Sequence, residues 1–176
     1  MVPRFQAAVE GKMRFQRSES QETKAMSLAD ILASDAVFSS LKANNKKSAI
    51  QELAAHAARI TGQDSRKIFE ILLQRERLGS TGVGSGVAIP HGKLSNLSQI
   101  HGVFARLETP IDFESLDGKP VDLIFLLLAP EDAGADHLKA LALIARLLRD
   151  GKTAEKLRVT TDAQKLYAIL TAPPVD

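Results

Sequence analysis

The pattern of apolar positions predicts two amphipathic helices in the first half of the chain. One helix of about 15 residues follows Asn44-Asn45, whose side chains can cap a helix start, and it ends at Gly62. The second runs from about Asp64-Ser65 to Glu76 and is followed by the breaker Gly79. The first helix carries its apolar residues on one face, at Ile50, Leu53, Ala54, Ala57 and Ile60. The second is expected to bury Ile68, Ile71 and Leu72, or the side that carries Phe69.

Runs of apolar residues predict a small number of strands. We expect strands at Ala36–Leu41, Gly102–Leu107 and Val121–Leu128. The last run is apolar at seven of its eight positions, and Asp122 is the exception. Such a run is typical of a strand that is covered on both faces, so the sheet needs helices on either side.

The second half of the chain supplies those helices. A strong helix is predicted at Ala135–Leu148, with Leu138, Leu141, Ala142, Ala145 and Leu148 on one face. Two shorter helices are predicted near Thr153–Arg158 and Asp162–Leu170, the second opening with a capping box from Thr161 to Gln164. A short helix at Leu28–Leu32 precedes the first strand. The order of elements predicts a single-domain, three-layer α/β/α sandwich with a small mixed β-sheet.

The first 25 residues differ from the rest of the chain. They show no sustained period and few large apolar residues, which predicts a mobile N-terminal tail, 1–25, before a globular domain, 26–176. Because the regular pattern starts at Met26, Met1 need not be the natural start. A basic presequence and an expression remnant both fit this tail.

Composition narrows the function classes. The 176 residues include no Cys, which excludes disulfides, thiolate metal sites and a thiol nucleophile. No apolar run has the length of a membrane span, so we expect a cytoplasmic protein that is not an integral membrane protein. The tail holds five of the 23 basic and three of the 21 acidic residues, so residues 26–176 hold 18 of each. This balance, with no Trp and one Tyr, argues against nucleic-acid binding.

The segment Gly79–Gly86 has four Gly in eight residues, which lets backbone N–H groups approach an anion. The Walker A motif fails, because Val87 stands where its first Gly is required and Leu94 where its Ser or Thr is required. The dinucleotide fingerprint and the hydrolase elbow also fail. A flexible surface loop is the alternative interpretation of this composition.

The residues after this loop suggest phosphoryl chemistry. Pro90 stiffens the chain before His91, Gly92 leaves space beside the ring, and Lys93 adds a cation. A neutral imidazole held beside amide donors suits nucleophilic attack on a phosphoryl group. The alternative is a His that only hydrogen-bonds within a turn.

The chain has three other His residues. His137 lies in the first turn of the strong helix, where free N–H groups favour an anion, so it is a candidate second contact to a phosphoryl group on His91. It could instead be a solvent-exposed residue. A metal site built on these two His residues lacks a clear third ligand, so no metal and no cofactor are expected. We expect His56 to be solvated, and His101, at a strand start, has no assigned role.

The stretch from Leu73 to Lys93 resembles the active-site block of the IIA proteins of the bacterial phosphotransferase system. The resemblance lies in the GSTG sequence at residues 79–82, followed by Ile89-Pro90-His91-Gly92-Lys93. It is strongest to the nitrogen-regulatory branch, which is related to fructose and mannitol IIA domains. The resemblance continues through residues 102–111, 120–128 and 137–141 and covers roughly Met26 to Leu170. It implies an α/β/α fold and a type-2 IIA domain.

The resemblance also implies roles for single residues. His91 matches the phosphorylated His of the family, and His137 matches its second active-site His. The remaining matches are phosphate-binding: Arg75, Ser80, Thr81, Gly92 and Lys93. The donor would be an HPr-like phosphocarrier, charged from phosphoenolpyruvate by an Enzyme I-type kinase.

Two functions fit these residues. In the first, the phosphorylation state of His91 regulates partners such as potassium transporters or sensor kinases, and so signals nitrogen, carbon and potassium status. In the second, the chain is a sugar-specific IIA component that passes phosphate to a IIB domain in trans. The sequence shows no IIB or membrane domain, which favours regulation. Either way, the chain is expected to act as a phosphotransferase with a phosphohistidine intermediate.

Overall fold

The computed structural model describes residues 26–173, so the expected tail at 1–25 lies outside the described residues. These residues form five α-helices: α1 Lys46–Thr61, α2 Ser65–Arg77, α3 Ala135–Arg149, α4 Gly151–Val159 and α5 Ala163–Thr171. They form six strands: β1 Val37–Leu41, β2 Gly82–Gly84, β3 Val87–Ala88, β4 His91–Leu94, β5 His101–Ile111 and β6 Val121–Pro130.

The six strands form one mixed sheet. Its order is β1-β5-β6-β3-β2, and β4 also pairs with β6, beyond the end of β3. The pairs β1–β5, β3–β6 and β4–β6 are parallel, whereas β5–β6 and β2–β3 are antiparallel. The long strand β6 is therefore central and has partners on both sides.

Strand β6 divides the core in two, because successive side chains of a strand point to opposite faces. Ile124, Leu126 and Leu128 pack with α1 and α2. Leu123, Phe125 and Leu127 pack with α3, α4 and α5 on the other face. The predicted three-layer α/β/α sandwich with a mixed sheet is therefore confirmed.

Asp122, the polar residue of β6, has a partner that explains its position. Both of its carboxylate oxygens accept from Nε of Arg158, each at 3.0 Å. Arg158 also donates to the Ser85 carbonyl at 2.6 Å. The Asp122–Arg158 ion pair therefore attaches α4 to the sheet beside β3.

Local signals set most helix ends as predicted. The side chain of Asn45 accepts from the Ser48 N–H at the start of α1, and Gly62 closes that helix in the left-handed conformation. The capping box predicted at Thr161 is wrong. Asp162 caps α5 instead, because its carboxylate accepts from both the Gln164 and Lys165 N–H groups.

Two further predictions need correction. The buried face of α3 consists of His137, Ala140, Ile144 and Leu148, whereas Leu138 is 70% exposed. The leucines of α3 lie on several sides of the helix, so the apolar periodicity of its sequence did not identify which side is buried. The short helix expected at Leu28–Leu32 is a 3-10 turn at Leu28–Asp30. Within the described chain, no helix combines the length and apolar character that crossing a membrane requires.

Candidate functional site

A cleft of about 630 Å³ opens where α2, β4 and the start of α3 meet. Nine residues line it: Ile71, Gln74, Arg75, Arg77, Leu78, His91, Gly92, Lys93 and His137. Five of the seven site residues expected from the sequence are therefore brought together, and they come from three separate elements.

The position of His91 follows from the sheet. His91 is the first residue of β4 and lies beside Leu127 of the buried strand β6. Just before it, the Pro90 carbonyl accepts from the Leu127 N–H at 2.9 Å. A Cβ atom added to Gly92 would come within 2.6 Å of Cγ2 of Ile71, so glycine lets α2 pack directly onto β4. This close approach brings Arg75 of α2 to His91.

Hydrogen bonds define the two ring nitrogens of His91. Nδ1 lies 2.9 Å from the Ile89 carbonyl oxygen. A carbonyl oxygen only accepts, so Nδ1 carries the proton of the neutral ring. Nε2 then has a lone pair, which accepts from Nε of Arg75 at 3.3 Å. The geometry therefore leaves Nε2 as the nucleophilic nitrogen, and it faces a cation.

His137 completes the pair of rings. It lies edge-on to His91, with 5.5 Å between the ring centroids. The residue is only 7% exposed, and its buried Nε2 has no hydrogen-bond partner among the described residues. The predicted alternative of a solvent-exposed His is therefore wrong. A buried polar atom of this kind fits a partner that arrives with a ligand.

Both imidazoles are held neutral by their surroundings. Burial is the main cause that lowers the pKa of His91. The hydrogen bond to Ile89 opposes it in part, the Arg75 charge lowers the pKa further, and Glu76 raises it slightly. Burial, His91 and Lys93 lower the pKa of His137. Because the pKa values of both rings lie below the ordinary value of about 6.5, both are uncharged at neutral pH, so that one can act as a nucleophile and the other as a hydrogen-bond donor.

The structure does not bring Ser80 and Thr81 to the cleft. The Ser80 hydroxyl donates to the Phe113 carbonyl at 2.7 Å, and the Thr81 hydroxyl donates to the Glu76 carboxylate. The glycine-rich segment forms the β2–β3 hairpin, with Ser85 at φ 58° in its turn. Its glycines therefore serve the turn, and the segment does not line the cleft.

Several features of the site were not found from the sequence. Ile71, Gln74, Arg77 and Leu78 lie on the cleft wall, but the charged end of α2 has the composition of a solvated helix end.

His56, expected to be solvated, is partly buried and stacks on Phe38 with 3.8 Å between ring centroids. His101 begins β5, as predicted. In residues 26–173, no three His, Asp or Glu side chains form a group that could hold a metal ion.

Comparison with known proteins identifies the family. Residues 30–172 match the sequence model of the phosphoenolpyruvate-dependent sugar phosphotransferase system, EIIA 2. The chain belongs to this family. Its IIA fold also matches the crystal structure of the nitrogen regulatory protein IIA-Ntr from Neisseria meningitidis, with a TM-score of 0.78 and 38% identity, over 82% of this chain and 99% of the other.

Individual IIA relatives refine the comparison. A nitrogen regulatory protein of Bradyrhizobium diazoefficiens is 64% identical over 149 residues, which cover 85% of this chain and 97% of the relative. A fructose-specific EIIA component of Haloferax volcanii is 37% identical over 119 residues, covering 68% of this chain and 76% of the relative. The predicted resemblance to nitrogen-regulatory IIA proteins is therefore confirmed.

Proposed function

We propose that this IIA protein is a phosphohistidine carrier whose phosphorylation state regulates partner proteins in the cytoplasm. The donor is an HPr-like phosphocarrier that is charged from phosphoenolpyruvate. One observation carries the proposal: the neutral ring of His91 has its proton on Nδ1 and its lone pair on Nε2, at the wall of an open cleft.

The geometry supports a single displacement step. The Nε2 lone pair forms a P–N bond while the bond between phosphorus and the carrier's group breaks, and the bonding electrons leave with the carrier. Positive charge then develops on the His91 ring. The Ile89 carbonyl, which accepts from Nδ1–H, stabilises that charge.

Three side chains are placed to bind the transferred group, which brings about two negative charges. Arg75 already reaches Nε2 and can donate to the phosphoryl oxygens after attack. The unpartnered Nε2 of His137 can supply a further N–H, and Lys93 adds a cation at the cleft wall. Gly92 supplies space rather than a contact.

The cleft rim favours a protein as the donor. Leu78, on the cleft wall, is 85% exposed, and Leu138, next to His137, is 70% exposed. Exposed apolar side chains that form a patch beside a reactive group mark a surface on which a protein can dock. This rim supports transfer from a phosphocarrier protein rather than from a small phosphate ester.

The regulatory part of the proposal rests on the relatives. The Bradyrhizobium and Neisseria proteins are described as nitrogen regulatory. For this chain we therefore propose phosphorylation-dependent binding to partners such as potassium transporters or sensor kinases. The fructose-specific relative supports a second candidate, transfer from His91 to a IIB domain in trans.

The test is incubation with phosphoenolpyruvate, Enzyme I and an HPr-like carrier, read by intact mass. We expect a gain of one phosphoryl group that is lost in acid and kept in alkali, as for a P–N bond. His91→Ala should abolish the gain, whereas the control His101→Ala should keep it. An acid-stable adduct, or uptake by folded His91→Ala, would contradict the proposal.

A further inference from the structure

The proposed phosphoryl chemistry makes no use of one buried carboxylate beside the cleft. The side chain of Glu76 is only 3% exposed, although it follows Arg75 directly on α2. Burying a carboxylate is costly unless charged or hydrogen-bonding groups surround it. The partners of Glu76 therefore indicate what this position requires.

Three donors converge on the Glu76 carboxylate. Lys46 places Nζ 2.7 Å from Oε2. Thr81 donates twice, from its backbone N–H at 3.2 Å to Oε2 and from its hydroxyl to Oε1. Glu76 thus joins the end of α2 to the start of α1 and to the residue that precedes β2.

The position of Lys46 is itself unusual. It is the first residue of α1, where the positive end of the helix dipole disfavours a cation. Its ammonium also lies over the Phe113 ring, 5.1 Å from the centroid. The ion pair with Glu76 offsets the unfavourable position of Lys46 in the helix, and it holds the start of α1 against the end of α2.

Hydrogen bonds continue from this junction to Nδ1 of His91. Thr81, held by Glu76 through its N–H, accepts at its carbonyl from the Ile89 N–H at 2.9 Å. Ile89 in turn accepts at its carbonyl from Nδ1 of His91. The backbones of two residues, Thr81 and Ile89, therefore connect the Glu76 carboxylate to the carbonyl oxygen that accepts from Nδ1 of His91.

The other ring nitrogen depends on the same junction. Arg75, which donates to Nε2 of His91, also donates from Nη1 to the Gly79 carbonyl at 2.9 Å. The Gly79 N–H donates to the Glu76 carbonyl at 3.1 Å. The turn that orients Arg75 therefore closes on the backbone of Glu76, whose position is in turn held by the contacts of its carboxylate with Lys46 and Thr81.

We propose that Glu76, with Lys46 and Thr81, is a positioning residue that fixes the Nδ1–H tautomer of His91 and the approach of Arg75. It acts through the Thr81–Ile89 hydrogen bonds and touches no reacting atom. The consequence for the phosphorylation rate rests on the proposed function, whereas the consequence for the tautomer does not.

Imidazole ¹⁵N shifts of the full chain, measured above the pKa of His91, test the tautomer directly. In the wild type we expect His91 to be protonated at Nδ1. Glu76→Gln keeps the side-chain shape but removes the charge, so the ring should move toward the Nε2–H form. Phosphoryl uptake from an HPr-like carrier should then slow by about tenfold or more, since small misplacements of a reacting group have effects of this size. Glu70→Gln, on the exposed side of the same helix, should change neither quantity.

A second variant covers the case in which Glu76→Gln fails to fold. Lys46→Met with Glu76→Gln removes both charges, which avoids an unpaired buried ammonium. It should also shift the tautomer. A folded variant with His91 shifts and an uptake rate equal to wild type would overturn the proposal and leave Glu76 a purely structural residue. A tautomer shift in the variant, combined with a wild-type protein that takes up no phosphoryl group, would instead refute the proposed function and support the role of Glu76.

Discussion

At the scale of single residues, the two nitrogens of His91 have different partners. The Ile89 carbonyl accepts from Nδ1, whereas the Arg75 guanidinium donates to Nε2. These partners identify Nε2 as the nucleophile, because Nδ1 holds the proton that it donates and Nε2 keeps its lone pair. Phosphoryl transfer to Nε2 requires the Arg75 guanidinium to move from the Nε2 lone pair to the phosphoryl oxygens.

This dependence predicts the effect of Arg75→Lys. Lysine keeps the charge but cannot donate to Nε2 and to the Gly79 carbonyl in one planar geometry. We expect the initial rate of phosphoryl uptake to fall by about tenfold to a hundredfold, the loss expected for one charged hydrogen bond. The matched control is Arg77→Lys, on the same cleft wall, which should have a smaller effect. Equal rates for Arg75→Lys and the wild type would rule out a directional role for the guanidinium.

His137→Gln makes a separate prediction. An amide retains a donor in roughly the same place, so uptake on His91 should persist at a reduced rate, while His137→Ala should slow it further. Rapid-quench kinetics of uptake and onward transfer would show this order. Stable phosphate on His137 of the wild type would reverse the assigned roles of the two rings.

At the scale of elements, the close contact between α2 and β4 sets the site. Gly92→Ala would place a methyl group against Cγ2 of Ile71, so α2 must shift and carry Arg75 with it. We expect slower phosphoryl uptake with the fold retained by circular dichroism. Ile71→Leu removes Cγ2 and should restore part of the rate when combined with Gly92→Ala. Gly151→Ala, which meets nothing within 4 Å, is the control. A Gly92→Ala protein with the wild-type rate would contradict the packing argument.

The elements also show what sequence could predict. Local signals predicted the α-helices and the strands β1, β5 and β6, because the stripe of α1, the cap at Asn45 and the apolar run of β6 depend on neighbouring residues. The short strands β2, β3 and β4 were not predicted, since they are only two to four residues long and lie in and after the glycine-rich segment. His91 stood out because Pro90 and Gly92 flank it, and the family resemblance named it. The partners of Ser80 and Thr81 were not predictable. Ser80 donates to Phe113, which lies in a loop distant in sequence, and Thr81 reaches the Glu76 carboxylate only once the turn after α2 has folded.

At the scale of the whole molecule, all four His residues respond to folding in the same direction. Burial is the largest cause that lowers the pKa of His56, His91, His101 and His137. The unfolded chain therefore binds more protons than the folded protein once the pH falls below the ordinary value of about 6.5. Histidine titration should leave stability unaffected above that pH and reduce it as the pH falls through and below it.

Thermal unfolding at two pH values checks this sign. The melting temperature should be lower at about pH 5.5 than at about pH 7.5, before the carboxylates titrate. Replacing His56 and His101 by Gln, away from the cleft, should make the difference smaller. A melting temperature that rises on acidification over this range would show that the imidazoles are not destabilised by protonation in the fold.

The central claim is that Nε2 of His91 accepts the phosphoryl group. The most direct measurement is ¹⁵N and ³¹P NMR of the protein labelled in its His rings, after phosphorylation by an HPr-like carrier. The phosphorus should couple to Nε2 of His91, and Nδ1 should keep its proton, since the Ile89 carbonyl occupies that side of the ring. Coupling to Nδ1 of His91, or phosphorus on any other residue, would contradict the account.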